Sequence, residues 1–516
     1  MTKKDIFLSV LSGVFLGISL PNFFIPFGFL IGFYIIFKLI TDYPLKKVTI
    51  YGFITGLVFS VISFYWITYA ISYYGGINLF LSSILFSLFV ISYSAGVFIP
   101  FVLTVKILYN RYGLNALFTA PFIWVFLEFS REFFPFNGFP WNLTGYMLSY
   151  INPFAQITAF FSIYGLSFLV LFSSVVFFLM FKRKEKKSII LAVLTISIFI
   201  VIFIYGQFRI DKYKDSGKSV KVAVIQGNID ESLKLNPTQE INLQIIDTYT
   251  ELMRQSLKYN PDFIILPESA IPIYPYIDNS LKDYFFEKIK DIDVPTITGF
   301  DNVLLTPEME VDKIYNSVFI LDENHRYVDH YNKIKLVPFG EYTPFKNKVL
   351  ESVFTYLQGI DFTKGESQKI LHYQDLKLVS LICFESIFPD FVSDFVNKGG
   401  NLIVNVTNDG WFGKTSAPYQ HFEMARIRSI ETGRYLIRAA NTGVSAVINP
   451  VGVIKGYLPL KDKGFIVQTV YLYDEKTFFT AYKTYIYFTF ILIFLSFITY
   501  FELKYRKEKV EVKSGR

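Results

Sequence analysis

Apolar stretches approaching the ~20 residues of helix that cross a hydrocarbon core of ~30 Å recur through the first two-fifths of the chain and once more near its end. They lie near 24–40, 50–73, 78–105, 152–181, 188–206 and 478–501, with shorter ones near 6–20 and 114–130. The composition agrees: 52% of the 516 residues are hydrophobic and only 18% charged, with a mean hydropathy of +0.38. A soluble globule of this length is not so apolar, so part of the chain belongs in lipid. Eight membrane helices are expected. The start, MTKKD, and the apolar run after it have the outline of a signal peptide, but FLGISLPNFF offers no small-x-small cleavage site, so this run is read as the first helix.

Orientation follows from the basic residues of the short loops. Lys3 and Lys4, Lys46 and Lys47, Lys106 and Arg111, KRKEKK at 182–187 and KYRKEKVEVK at 504–513 fall on one side if eight helices are threaded. Both termini are then cytoplasmic and residues 207–476 lie across the membrane. This divides the chain into seven helices over 1–206, an exported body over 207–476, and an eighth helix with a basic tail over 477–516. The net charge of +7 is accounted for by these loops, and no nucleic-acid partner is implied.

The exported body has a different texture. Short β-forming runs at 219–228, 262–269, 294–300, 314–321, 327–333, 376–383, 401–409, 436–441 and 445–450 alternate with helical stretches near 238–259, 280–291, 388–398 and 418–434. Strands apolar on both faces belong to a sheet covered by helices, so an α/β layered domain is expected. It contains no GxGxxG and no GxxxxGK[ST] phosphate loop. The four histidines, His325, His330, His372 and His421, lack zinc-ligand spacing, and one cysteine cannot make a disulfide. Neither a metal nor a cofactor is expected.

Reactive groups close three of the strands: Glu268 ends FIILPE, Lys333 ends YVDHYNK, and Cys383 ends LVSLIC. Carboxyl ends of strands open into the site in layered α/β folds. A free thiol has a pKa near ~8.5 and is mostly protonated at neutrality, so a carboxylate to take the proton and a cation to favour the thiolate would make a working nucleophile. Each residue has a plainer reading. A lone buried cysteine is more often packing, Glu268 can be a turn residue, and Lys333 can be an edge lysine that discourages strand pairing. An unpaired thiol in an oxidising compartment is, however, a liability unless it is used.

Taken together, LPES at 266–269, YNKIKLVPFGEY at 331–342, LICFES at 381–386 and NVTNDGWF at 405–412 resemble the Glu, Lys and Cys motifs of the nitrilase superfamily. With the membrane helices and GFPWNLTGY at 138–146, the chain is similar to the apolipoprotein N-acyltransferase family over nearly its whole length. The resemblance implies a periplasmic αββα sandwich with Glu268 as general base, Lys333 as oxyanion stabiliser and Cys383 as nucleophile. Glu341 and Glu385 match further glutamates that the family needs. The implied reaction moves an acyl chain from a phospholipid to the α-amino group of a diacylglyceryl-modified apolipoprotein, at the bacterial inner membrane and in a monomer. Phe384 stands where many members have tyrosine, and Leu235 where some have tryptophan; both bear on substrate preference. At 344–362, where Phe345, Val349, Val353, Phe354 and Leu357 fall on one helical face, the reading is a lid or lipid-facing arm over the thioester, with a helix packed on the domain core as the alternative; a second apolar arm is expected at 269–279. His421 and its neighbouring arginines read as parts of a structural helix, and Glu128, Arg131 and Glu132 either as functional intramembrane charges or as markers of the water boundary. Two alternatives stay open: a membrane-bound nitrilase-type amidase or hydrolase, and a non-catalytic protein on the same fold.

Overall fold

The computed structural model describes residues 2–183, 185–235, 237–344 and 361–514. The chain divides into two compact units, one of residues 1–68, 79–212 and 481–516, the other of residues 69–78 and 213–480.

Among the described residues, five helical stretches are long and apolar enough to cross a membrane: Leu45–Phe64, Leu79–Ser130, Thr158–Arg183, Lys186–Lys212 and Phe478–Lys509. The Leu79–Ser130 stretch holds two of the expected spans, separated by a 3-10 turn over Gly113–Thr119 that Gly113 enters at φ +68°. The other two expected spans are the shorter helices Lys3–Ile18 and Gly28–Asp42. In Lys186–Lys212, Ile196, Val201 and Ile204 are more than half exposed; apolar side chains facing outward on a helix of this length suit a lipid solvent. The charged trio of the first unit is buried and hydrogen-bonded. Glu128 accepts from the Thr144 N–H at 2.6 Å and from Trp124 Nε1 at 3.0 Å, Arg131 donates to the carbonyls of Phe139 and Trp141, and Tyr164 donates to Glu132 at 2.7 Å. The Thr144 N–H and the Phe139 and Trp141 carbonyls are backbone groups of the 138–146 loop, which has no ladder of its own.

The second unit is built on two six-stranded mixed sheets among the described residues. The strands are β1 (Ser219–Gln226), β2 (Phe263–Ile265), β3 (Thr296–Leu305), β4 (Val311–Leu321), β5 (Tyr327–Asn332), β6 (Leu371–Tyr373), β7 (Leu376–Ile382), β8 (Leu402–Thr407), β9 (Leu436–Ala440), β10 (Ser445–Ile448), β11 (Ile454–Leu458) and β12 (Gly464–Tyr471). One sheet has the order β12-β1-β2-β3-β4-β5 and the other β11-β10-β9-β8-β7-β6. In each, three parallel strands lie together, β1-β2-β3 and β7-β8-β9. Antiparallel strands flank them on both sides.

Side-chain alternation along β1 shows the layering. Val222 and Val224 pack with residues of the second sheet such as Leu378, Val404 and Ala446. Ala223 and Ile225 face the opposite way, against Ile246, Tyr249 and Met253 of helix Gln239–Leu257 and Phe285 of helix Ser280–Ile289. The second sheet is covered on its outer face by helix Pro389–Asn397, through Val392, Phe395 and Val396, and by Ala425 of helix Ala417–Thr432. This is the expected αββα sandwich. Three strands lay outside the sequence reading: β6, β11 and β12. The last pairs with β1 over eight residues and closes the first sheet's edge.

Candidate active site

Glu268 lies three residues beyond β2, Lys333 directly follows β5, and Cys383 directly follows β7. The fold brings the first two into contact: Lys333 Nζ is 3.5 Å from Glu268 Oε1 and 2.7 Å from Glu341 Oε1. All three named ends are buried, with Glu268 7%, Lys333 1% and Cys383 9% exposed. A charge that deep needs partners. Glu268 has them in Asn316 Nδ2 at 2.7 Å and the Asn408 N–H at 2.8 Å. Asn316 also donates to Glu341 at 3.0 Å, and the Val337 N–H donates to that carboxylate's other oxygen at 2.8 Å.

Close backbone packing holds Glu268 in place. Gly299 of β3 donates to the Pro267 carbonyl at 3.2 Å, and a Cβ there would lie 2.7 Å from Glu268 Cα and 2.7 Å from the Ser269 nitrogen. Cys383 sits at φ +48°, a left-handed conformation that costs a non-glycine residue about 1–3 kcal/mol. The turn carries the chain from β7 into the 3-10 segment Cys383–Ile387, so Cys383 sits at the bend, just past the end of the β7–β8 ladder.

Glu385 maintains that bend. One of its oxygens accepts from the Tyr331 hydroxyl at 2.7 Å, the Ile334 N–H at 2.7 Å and the Lys335 N–H at 3.1 Å. The other accepts from the Ile382 N–H at 2.9 Å. Glu385 thereby ties the segment after Lys333 to the residue before Cys383. Behind the thiol lies a charged cluster. Arg438 Nη2 donates to Asp409 Oδ2 at 2.7 Å, His421 Nδ1 is 2.9 Å from Asp409 Oδ1, and His421 Nε2 is 3.1 Å from the Cys383 carbonyl oxygen. Ser386 donates to the same carbonyl at 3.0 Å.

The electrostatics follow from these contacts. Burial raises the Glu268 pKa above the carboxylate range, opposed by the Lys333 charge and reinforced by Glu341. Lys333 is held firmly protonated: burial alone would lower its pKa, and the Glu341 and Glu268 carboxylates more than offset that. Burial pushes the Cys383 thiol well up, and the Glu268 charge adds to this more than Lys333 relieves it. The resting sulfur is therefore a thiol, not the thiolate that a neighbouring cation alone would favour. Burial also lifts Glu385 to about 7. Asp409 behaves oppositely: burial would raise it, but Arg438 and His421 hold it down at about 2.

Of the residues expected from the sequence, Glu268, Lys333 and Glu341 share one buried network, Glu385 ties the segment after Lys333 to the residue before Cys383, and the Phe384 ring packs edge-on to Phe388 at 5.2 Å. Sequence reasoning did not single out Asn316, Asn408, Asp409 or Arg438 as partners of the site, and it read His421 as part of a structural helix. The asparagines lie in the quoted strand stretches, yet nothing local marks them as partners of Glu268. Phe345, Val349, Val353, Phe354 and Leu357, the expected lid face, lie outside the described residues. The 269–279 segment is not the free apolar arm that was expected. Ala270, Ile271 and Ile273 are core residues of the first layer, and Tyr276 packs against Phe319, Tyr327 and His330.

Comparison with known proteins places this arrangement in context. Residues 12–176 match the family model of the apolipoprotein N-acyltransferase N-terminal domain, and residues 221–475 match that of carbon-nitrogen hydrolase. An apolipoprotein N-acyltransferase of Geobacter metallireducens is 33% identical over 492 residues, covering 93% of this chain and 92% of the relative. One of Aquifex aeolicus is 30% identical, covering 89% of this chain and 98% of the relative. Among solved structures, an amidase from Nesterenkonia sp. is similar at 17% identity and a TM-score of 0.38, over 51% of this chain and 94% of that one. Both parts of the chain match, in one continuous alignment with relatives of nearly the same extent, and the chain therefore belongs to the apolipoprotein N-acyltransferase family.

Proposed function

We propose that this membrane acyltransferase takes an acyl chain from a phospholipid, carries it as a thioester on Cys383, and delivers it to the α-amino group of an N-terminal S-diacylglyceryl-cysteine, the last step of lipoprotein maturation. The second unit works on the periplasmic face of the inner membrane, and the enzyme acts as a monomer. The observation that carries this reading is the buried Glu268–Lys333 pair at 3.5 Å, tied to the turn that holds the chain's single thiol by Glu385, which accepts from the N–H groups of Ile334 and Ile382.

In the first half-reaction Glu268 accepts the thiol proton as sulfur attacks the ester carbonyl. The thiol and the carboxylate are both raised, so the proton moves as the bond forms and no standing thiolate is needed. The tetrahedral oxyanion is met by Lys333 and the Phe384 N–H; preorganised donors of this kind contribute about 3–4 kcal/mol each. Glu268 returns the proton to the departing lysophospholipid oxygen, leaving the acyl thioester. In the second half the acceptor amine attacks the thioester, Glu268 takes a proton from nitrogen, and that proton goes to the leaving sulfur. Glu341 and Asn316 hold Lys333 and Glu268 in place throughout, as positioning residues.

Product partition tests the reading. With phospholipid and a synthetic diacylglyceryl-cysteine peptide, the acyl chain is expected in an amide on the peptide, and double-reciprocal plots for the two substrates should run parallel. Free fatty acid as the main product, whatever the amine concentration, would instead identify a hydrolase.

A further inference from the structure

A cavity of about 280 Å³ opens beside the site, lined by Asp230, Glu231, Asp409, Gly410, Thr442 and Lys461 among others. It adjoins the reacting groups through two consecutive residues. Asn408 gives its backbone N–H to Glu268 at 2.8 Å and its side-chain amide to Glu231 at 2.5 Å. Asp409 is 2.9 Å from His421 Nδ1, and His421 Nε2 is 3.1 Å from the Cys383 carbonyl oxygen.

The acids of this cavity are not alike. Asp409 is neutralised by Arg438. Asp230 Oδ1 is occupied by the N–H and hydroxyl of Ser232, at 2.9 and 2.6 Å. Glu231 is buried, pairs with no cation among the described residues, and receives one neutral amide hydrogen from Asn408. Nearby, Thr442 is only 6% exposed, yet its hydroxyl has no hydrogen-bond partner among the described residues. Gly410 keeps the space open, since a Cβ there would stand 3.3 Å from Thr442 Oγ1 and 3.4 Å from Glu231 Cβ. A buried carboxylate with a single neutral donor and a buried hydroxyl with no partner among the described residues face one cavity, a lining that suits a donor-rich cation. An ammonium has three N–H donors and no acceptor.

We infer that this cavity receives the primary ammonium of the acyl acceptor, held by the Glu231 carboxylate and the Thr442 hydroxyl beside Glu268. The inference rests on the reading under Proposed function. An α-amino group has a pKa near ~7.7–8.0, so the acceptor arrives largely charged and must lose a proton before its lone pair can attack. Glu231 takes that first proton and releases it to solvent. The C–N bond then forms, Glu268 takes the second proton from nitrogen, the C–S bond breaks, and the sulfur leaves with the proton from Glu268. The products are amide, thiol and one released proton.

The test separates the half-reactions. The enzyme is loaded from phospholipid, freed of excess donor, and mixed with either the diacylglyceryl-cysteine peptide or uncharged hydroxylamine, and loss of the acyl mass is followed. In Glu231→Gln, discharge by the peptide should slow about ten- to a hundredfold, the loss expected for a charge-assisted hydrogen bond. Loading and hydroxylamine discharge should keep the parent rates. Thr442→Val should show the same selectivity with a smaller loss. The inference is overturned if peptide discharge is unchanged, or if loading or hydroxylamine discharge falls alongside it, since Glu231 would then only brace Asn408. A parent enzyme that loads but discharges to free acid regardless of peptide would overturn the acyltransferase reading itself, and this inference with it.

Discussion

Glu268 is where burial and charge meet most directly. Its carboxylate accepts from Asn316 and the Asn408 N–H and faces Lys333, yet burial still raises its pKa. As a proton acceptor it must be ionised, so falling pH removes the active form, and donor-half kcat/KM should fall through an apparent pKa above the ordinary carboxylate range. Glu268→Gln should abolish that limb and lower the rate about 10²–10⁴-fold, the usual worth of a positioned base. A pH–rate profile with its acid limb at the ordinary carboxylate value would contradict the assignment. Glu268, Lys333 and Cys383 were legible in the sequence because each closes a strand. Asn316 was not, because its role comes from pairings between β3, β4 and β5 that no local pattern encodes. His421 read as part of a structural helix; its Nε2 lies 3.1 Å from the Cys383 carbonyl oxygen.

At the scale of elements, the site depends on backbones that approach closely. Gly299 of β3 lies against the segment carrying Glu268, where the opposing atoms are main chain and cannot step aside. Gly299→Ala should destabilise the protein by about 1–3 kcal/mol, as overpacking does, and should lower activity further than the stability loss explains; thermal unfolding beside the initial rate checks this. An alanine variant with parental stability and rate would show that the contact relaxes freely. The strands of the two parallel triplets were readable as β-branched runs buried on both faces. β12 was missed although GFIVQTVY is a good strand sequence, because it is an edge strand whose eight pairs with β1 span more than 200 residues of chain. The 269–279 segment misled for a related reason: alternating apolar and proline residues look like a free arm until Ile271 and Ile273 are seen in the core.

At the scale of the whole molecule, one chain joins a helical unit with outward-facing apolar side chains to a layered α/β unit. The basic loops set the proposed orientation, and Cys383 being the sole cysteine makes that orientation testable. In a Cys383→Ala background, a cysteine at Glu308, which is exposed in the β3–β4 connection, should react with a membrane-impermeant thiol reagent in spheroplasts. A cysteine at Lys186, also exposed, should react only after permeabilisation. The reverse pattern would place the α/β unit in the cytoplasm.

The central claim is that an acyl chain rests on Cys383 between donor and acceptor, and intact-protein mass measurement after incubation with phospholipid alone tests it most directly. The parent should gain the mass of one acyl chain, removed by hydroxylamine, and Cys383→Ala with unchanged unfolding behaviour should gain nothing. A gain on the alanine variant, or none on the parent, would contradict it.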